Sequence, residues 1–174
     1  MDKLIADLLS LAQVSRMQLQ NEKVDLTLMC QRIIEEFQQS HPDRKVELHV
    51  ENELVVYADS GLIRIALENL LCNAWKFTSH LAHATIRVGR KTDAAGLPIF
   101  FVSDNGAGFD MAYVDKLFHA FQRLHLASEF PGTGIGLATA NRAIARHGGL
   151  LWAEAAVGKG ATFFFTLPKA AAST

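Results

Sequence analysis

The sequence is poor in cysteine, in net charge and in long apolar runs, and each shortage excludes a class of function. Only two of the 174 residues are cysteine, Cys30 and Cys72, far apart and without Cys-x-x-Cys spacing. Neither a zinc site nor a disulfide framework is signalled, and a soluble protein of a reducing compartment is expected. Seventeen basic against eighteen acidic side chains leave a formal charge of −1, which argues against a nucleic-acid partner held by phosphate contacts. No apolar run approaches the roughly 18 residues of a membrane span, and no charged-then-apolar leader opens the chain. Internal repeats are lacking too. What remains is 49% hydrophobic and 20% charged, ample for a buried core and unlike a disordered chain. The length suits one domain with a short appendage.

Periodicity supplies the elements. Leu4, Ile5, Leu8, Leu9, Leu11 and Ala12 have helical spacing, so a helix is expected from residue 1 to about 19. Such a helix either folds back on its own domain or pairs with a second helix or another copy of the chain. The polar residues 18–23 read as a joint. A second helix carries Leu26, Met29, Cys30, Ile33, Ile34 and Phe37 on one face, with Asp25 or Thr27 as cap, and ends at His41-Pro42. Strands are expected at 45–51 and 54–57. Asp59-Ser60 caps a third helix running to about Phe77. Further strands are placed at 85–90 and 99–103, and a helix near 113–120. Residues 124–131 read as a loop, followed by a helix that ends at His147-Gly148-Gly149. A hairpin of 150–155 and 161–167 closes the chain. The order is not strict β-α-β alternation, so the expected class is α+β: a two-layer α/β sandwich, its mixed sheet covered by helices on one face.

Three places depart from the pattern of a core. On the third helix Asn69, Asn73 and Lys76 stand at i, i+4 and i+7 and share a face beside Glu68. Asn oxygens can ligate a hard cation, and a lysine one turn on can meet the phosphates it carries. The alternative is a solvated polar face. Next, Asp104-Asn105-Gly106-Ala107-Gly108-Phe109 follows an apolar strand, so a carboxylate stands where a ligand amine can reach it. The glycines after it let backbone approach a flat ring; the alternative is an ordinary Asn-Gly turn. Last, Gly132-Thr133-Gly134-Ile135-Gly136-Leu137 opens a helix with alternating glycines, so exposed N–H groups and the helix start suit an anion. It has neither the Walker nor the dinucleotide spacing, and a plain capping turn is the alternative. His80 and His83, three apart in a polar stretch, read as solvated rather than as a metal pair.

The order of these motifs is more specific than any one of them. Asn-x3-Asn-x2-Lys, Asp-x-Gly-x-Gly, Phe118-x-x-Phe121 and Gly-x-Gly-x-Gly-Leu together resemble the catalytic and ATP-binding domain of sensor histidine kinases. That superfamily is shared with DNA gyrase, heat-shock chaperones and mismatch-repair ATPases. Residues 68–78 look like its N box, 104–109 its G1 box, 118–123 its F box and 132–137 its G2 box. The likeness runs from about Val24 to Pro168. Residues 121–125 and 130–137 look most like kinases coupled to phytochrome and PAS sensors.

The resemblance implies ATP and Mg²⁺ as cofactors and assigns roles. Asn73 ligates the metal, Asn69 and Lys76 contact phosphates, and Asp104 recognises the adenine amino group. Gly106 and Gly108 admit the ring, with Phe109 beside them. Thr162, in a hairpin similar to the family's Gly-x-Gly-Ser/Thr-x-Phe at residues 158–163, supports the same edge. Residues 110–131 form a lid with Arg123 a candidate phosphate contact, and Phe118 and Phe121 pack it. Gly132, Thr133, Gly134, Ile135, Gly136 and Leu137 form the phosphate loop. Glu68 orients the attacking group, joining Asn69 and Lys76 as catalytic residues.

By the same resemblance, residues 1–21 are a remnant of the second helix of a dimerisation and phosphoacceptor domain, 22–168 the ATP-binding domain and 169–174 a tail. None of the seven histidines (41, 49, 80, 83, 119, 125 and 147) is followed by an acidic residue or lies on the opening helix. The chain is therefore expected to bind nucleotide without phosphorylating itself. Its implied partners are its own dimerisation domain, as a homodimer in the full-length protein, and a response regulator receiver domain. The implied location is cytoplasmic, free or as the inner part of a membrane-bound sensor. The alternatives are a serine kinase acting on an anti-anti-sigma factor and an interaction module independent of nucleotide.

Overall fold

The computed structural model describes residues 2–124, 130 and 132–168. In chain order the elements are α1 (Asp2–Arg16), β1 (Asn21–Asp25), α2 (Leu26–Ser40), β2 (Val46–Val50), β3 (Val55–Asp59), α3 (Ser60–Phe77), β4 (Ala84–Thr92) and β5 (Pro98–Asp104). A 3₁₀ turn (Met111–Lys116), α4 (Gly136–Arg146), β6 (Leu151–Ala155) and β7 (Ala161–Phe165) complete them. Five strands form one mixed sheet in the order β2-β4-β5-β7-β6, and β1 pairs with β3 in a separate two-stranded sheet. Only the β2–β4 pair is parallel. Helices α2, α3 and α4 cover one face, so the expected two-layer α+β class holds.

Burial follows the alternation of the strands. Phe100, Val102, Phe163 and Phe165 turn inward, against Leu67, Leu70, Leu71 and Ile144 from the helices. Phe100 and Phe165 stack with centroids 5.5 Å apart. The outer face keeps its own aromatic band, where Trp152 stacks on Phe164 at 5.6 Å and Lys91 lies 4.2 Å from the Phe164 ring centre.

The caps resolve the open choices. Asp25, not Thr27, caps α2, accepting from the Leu28 N–H at 3.0 Å. Thr27 instead donates to the Glu51 carbonyl and accepts from Leu54 N–H, joining α2 to the β2–β3 turn. Asp59 caps α3 through Leu62 N–H at 2.9 Å, and its other oxygen accepts from Gln20 N–H. His147 is the C-cap of α4, and its ring Nε2 accepts from Asp59 N–H at 3.0 Å, tying the end of α4 to the start of α3.

Two local expectations are corrected. The polar joint at 18–23 holds the start of β1, whose Asn21, Glu22 and Lys23 stay exposed because only Val24 of that strand faces the core. Alternation cannot be read from one buried position in five. The helix placed at 113–120 is instead the 3₁₀ turn, capped by Asp110 through Ala112 N–H at 2.9 Å. It buries none of its residues fully, and within it only Val114 packs partly against the core, too little apolar contact to stabilise a full α-helix. The loop expectation at 124–131 and part of the lid lie outside the described residues at 125–129 and 131, as do Met1 and the tail at 169–174.

Helix α1 lies along α4 with Val14 buried between them. Its last carbonyls are capped by Arg146, which donates to Val14 O at 2.6 Å and to Met17 O at 2.5 Å. Ile5 and Leu9 remain more than half exposed. The Arg146→Ala variant should weaken this local anchorage by about 1–3 kcal/mol. Hydrogen exchange would read it as faster exchange across residues 2–16 with α3 and β5 unchanged; unchanged α1 protection would contradict the cap.

Candidate functional site

One cleft of about 480 Å³ opens between α3, the end of β5 and the start of α4. It gathers Glu68, Asn69, Asn73 and Lys76 from α3, Asp104, Gly108 and Phe109 from the β5 turn, Arg123, and Gly132, Thr133, Gly134, Gly136 and Leu137 from the glycine segment. Motifs up to 69 residues apart in sequence therefore form one wall-to-wall site.

Helix α3 presents its polar row because its other face is spent on the core: Leu67, Leu70, Leu71 and Ala74 are all buried. The Asn69 Nδ2 donates to Ile65 O at 2.8 Å, which turns Oδ1 toward the glycine segment. A Cβ on Gly136 would stand 2.8 Å from that Oδ1, so any larger residue there would push the Asn69 amide aside. Lys76 lies one turn beyond Asn73, its Nζ 4.6 Å from the centre of the Phe77 ring. Burial lowers the Lys76 pKa, Cys72 opposes that shift, and the nearby cations Lys3 and Arg123 lower it further. The cleft also carries Asp7, Glu68 and Asp104, but the three cations group at its Lys76 end, which favours an anionic occupant there.

Asp104 ends β5. Burial pushes its carboxyl up to about 6, against the opposing pull of the Gly106 and Ala161 backbone N–H groups. The Gly106 N–H reaches Oδ1 at 2.8 Å. Asn105 fixes the turn by accepting from Thr85 N–H at 2.8 Å and donating to His83 O at 2.9 Å.

The two glycines of this turn serve the protein's own backbone. A Cβ on Gly106 would stand 2.3 Å from the Phe77 carbonyl oxygen, and one on Gly108 would stand 2.0 Å from the Ala156 carbonyl oxygen. Gly108, at φ +63°, also borders the cleft; Gly106 packs behind it. Helix α4 begins after Ile135 with no side-chain cap, so its first N–H groups have no side chain competing for them.

Several expected residues are placed differently. Thr162 is not brought to the cleft. On β7 it pairs with Ser103, and the two hydroxyls bond at 2.8 Å on the outer face of the sheet. Strand alternation puts its neighbour Ala161 opposite Asp104 instead, and Ala161 is also the residue at the Ser/Thr place of the 158–163 pattern. Ile135 is fully buried behind the loop rather than lining it. Glu68 borders the cleft with its carboxylate in an ion pair, 2.8 Å from Arg64 Nε. The Arg123 guanidinium donates to Phe130 O. Phe118 packs edge-on against Phe163, whereas Phe121 is 59% exposed at φ +68°, its N–H bonded to Gly134 O. No group of three metal-ligating acidic, His or Cys side chains occurs among the described residues.

Sequence reasoning missed three wall residues on α1, namely Lys3, Asp7 and Ser10. Their i, i+4, i+7 spacing matched the α3 row and was the available signal. Phe37, Ile65, Leu117 and Phe163 supply apolar lining.

Residues 58–171 match the family described as histidine kinase-, DNA gyrase B-, and HSP90-like ATPase. The chain belongs to this family. It is 34% identical over 169 residues to Cyanobacterial phytochrome B of Nostoc sp., covering 96% of this chain and 22% of that protein. It is also 34% identical over 178 residues to the Adaptive-response sensory kinase SasA of Thermosynechococcus vestitus, covering 97% of this chain and 45% of the relative. The chain thus spans about a fifth to under half of the length of such relatives. Among solved structures, full-length ShkA in complex with AMPPNP superposes with a TM-score of 0.78 at 26% identity, over 99% of this chain and 36% of that one. The mycobacterial sensor histidine kinase MprB gives 0.69 at 27% identity, over 86% and 97%. The chain is thus a histidine-kinase-type ATPase domain.

If the glycines of this domain's turn are required by backbone packing, their substitution has graded consequences. Gly108→Ala should cost about 2–4 kcal/mol from left-handed strain and overpacking together. Gly158→Ala has a similar φ of +75° but open space around the added Cβ, so it should cost only about 1–2 kcal/mol. Urea unfolding of both variants checks the ordering; equal losses would contradict the packing account.

Proposed function

We propose that the chain is the ATP-binding catalytic domain of a two-component sensor kinase. The γ-phosphate of ATP would pass to a histidine of a dimerisation and phosphoacceptor domain, and then to an aspartate of a response regulator receiver domain. The observation that carries this is the convergence of Asp104, the Asn69–Asn73–Lys76 row and the glycine segment on one cleft. The phytochrome and SasA relatives support it.

The residues present fit a magnesium nucleotide. Asn73, with Asn69 beside it, offers neutral oxygens suited to a hard cation whose charge is balanced by phosphate. Bound there, Mg²⁺ supplies neutralisation of the polyphosphate charge. Asp104 accepts from the adenine amino group, while Phe109, Phe163 and Leu117 exclude water around the ring. Lys76 is positioned to meet phosphate oxygens in a medium that strengthens the attraction. The N–H groups of Gly132, Gly134 and Gly136 and the uncapped start of α4 add fixed positive ends. Catalysis by such a domain is mostly positioning and charge stabilisation.

Residues 1–21 are read as part of a dimerisation helix, 22–168 as the ATP-binding domain and 169–174 as a tail. Dimerisation belongs with the longer protein, and a cytoplasmic location goes with this reading. No helix among the described residues is long and apolar enough to cross a membrane. The serine-kinase alternative is not favoured by the relatives, which are sensor histidine kinases and phytochromes.

Thermal-shift titration tests the proposal. At a ligand concentration of 100 Kd, ATP or ADP with Mg²⁺ should raise Tm by about 5–10 °C. Affinity should weaken as pH falls through about 6, because Asp104 must then lose a proton to accept from the ligand. The Asp104→Asn variant should lose most of the nucleotide shift. Without ligand the sign reverses. The raised carboxyl pKa contributes stability below the unfolded value that is lost as pH rises through 6, so the variant's nucleotide-free Tm should exceed the wild-type value at pH 8. Absence of any nucleotide shift in the wild-type chain would sink the proposal.

A further inference from the structure

Helix α1 turns a mixed face inward, with Val14 buried and Leu4, Asp7, Ser10 and Leu11 half-buried. Lys3, Asp7 and Ser10 line the cleft, while Ile5, Leu8 and Leu9 stay exposed. The Thr133 hydroxyl donates to Asp7 Oδ2 at 2.6 Å, across 126 positions of sequence. Thr133 lies between Gly132 and Gly134, so the Asp7 carboxylate stands at the segment read above as the phosphate loop. The two ends of α1 are held differently. At its C-terminal end, Arg146 caps two carbonyls, and Arg142 Nε reaches Ser15 Oγ at 3.3 Å. Thr133–Asp7 is the one hydrogen bond from the first ten residues to the rest of the domain among the described contacts.

We propose that Asp7 is a specificity-determining carboxylate of the cleft: with α1 docked it places negative charge at Thr133, so, although Lys3 one turn earlier brings a cation to the same cleft, a nucleotide polyphosphate and the Asp7–Thr133 contact exclude each other. This rests on the reading of the cleft as a nucleotide site. A nucleoside fills only the Asp104 end and is indifferent to Asp7. Di- and triphosphates bring charge to the glycine segment, and their binding releases the first turns of α1 by reciprocal linkage. The released turns carry the exposed Ile5, Leu8 and Leu9, so phosphate occupancy changes the freedom of that apolar stripe.

Adenosine, ADP and ATP affinities of the 174-residue chain test this by titration calorimetry with Mg²⁺ present. Asp7→Ala should bind ADP and ATP about fivefold tighter or more, with adenosine unchanged within about twofold. Asp7→Asn, which keeps an acceptor for Thr133 but loses the charge, should give most of the same gain. In the wild-type chain ATP should speed hydrogen exchange across residues 3–12, and adenosine should leave it unchanged. Equal or weaker polyphosphate binding by Asp7→Ala would overturn the proposal, the weaker case marking Asp7 as an aid to the metal nucleotide. Slower α1 exchange with ATP would overturn it as well. Those results leave the nucleotide reading intact; failure of adenosine, ADP and ATP alike to bind the wild-type chain defeats that reading and this inference with it.

Discussion

The site depends on one close approach, where the turn after β5 is pressed against the end of α3. Ala107 N–H donates to the Phe77 carbonyl at 3.0 Å, and Gly106 stands so near the same carbonyl that no side chain fits between them. On its other side the turn is locked to the β6–β7 hairpin, where Gly158 N–H donates to Ala107 O at 2.7 Å. A helix end, a strand end and a hairpin tip are thereby clamped at one point. Asp104 and Lys76, neighbours of this clamp on the two elements it joins, acquire a fixed relation although 28 positions separate them.

The clamp also explains the electrostatics. Lys76 and Asp104 both border a cleft whose lining is partly aromatic, and burial shifts each toward its neutral form. A site built for stability alone would satisfy or remove these charges. On the proposed function they meet groups of opposite character, an amino donor at the Asp104 end and phosphate oxygens at the Lys76 end. The burial cost of both groups is the kind of trade between stability and function expected at a binding site.

Much of this was legible in the sequence. The apolar stripe of α3, the cap at Asp59 and the terminal hairpin were readable from periodicity and local chemistry, while the cap of α2 stayed open between Asp25 and Thr27. The order of the N, G1, F and G2 motifs identified the family that the comparisons then bore out. What escaped depends on three-dimensional context. β1 was hidden because one buried residue in a polar strand gives no alternation. The reason for Gly106 and Gly108 was hidden because the carbonyls they meet, Phe77 and Ala156, come from other elements. Thr162 was misplaced by one position, which on a strand means the opposite face. Lys3, Asp7 and Ser10 were hidden because the sequence offers two faces of α1 and does not say which one docks.

Chemical-shift mapping by NMR tests the central claim most directly, since it asks whether the separated motifs act as one nucleotide cleft. Titration of the isotope-labelled chain with ADP and Mg²⁺ should move backbone resonances at 69–76, 104–109 and 132–137 together, with one common dissociation constant. Resonances of the outer sheet face, at Arg87 and Trp152, should stay still. Perturbation confined to one of the three segments, or centred on that outer face, would contradict the account.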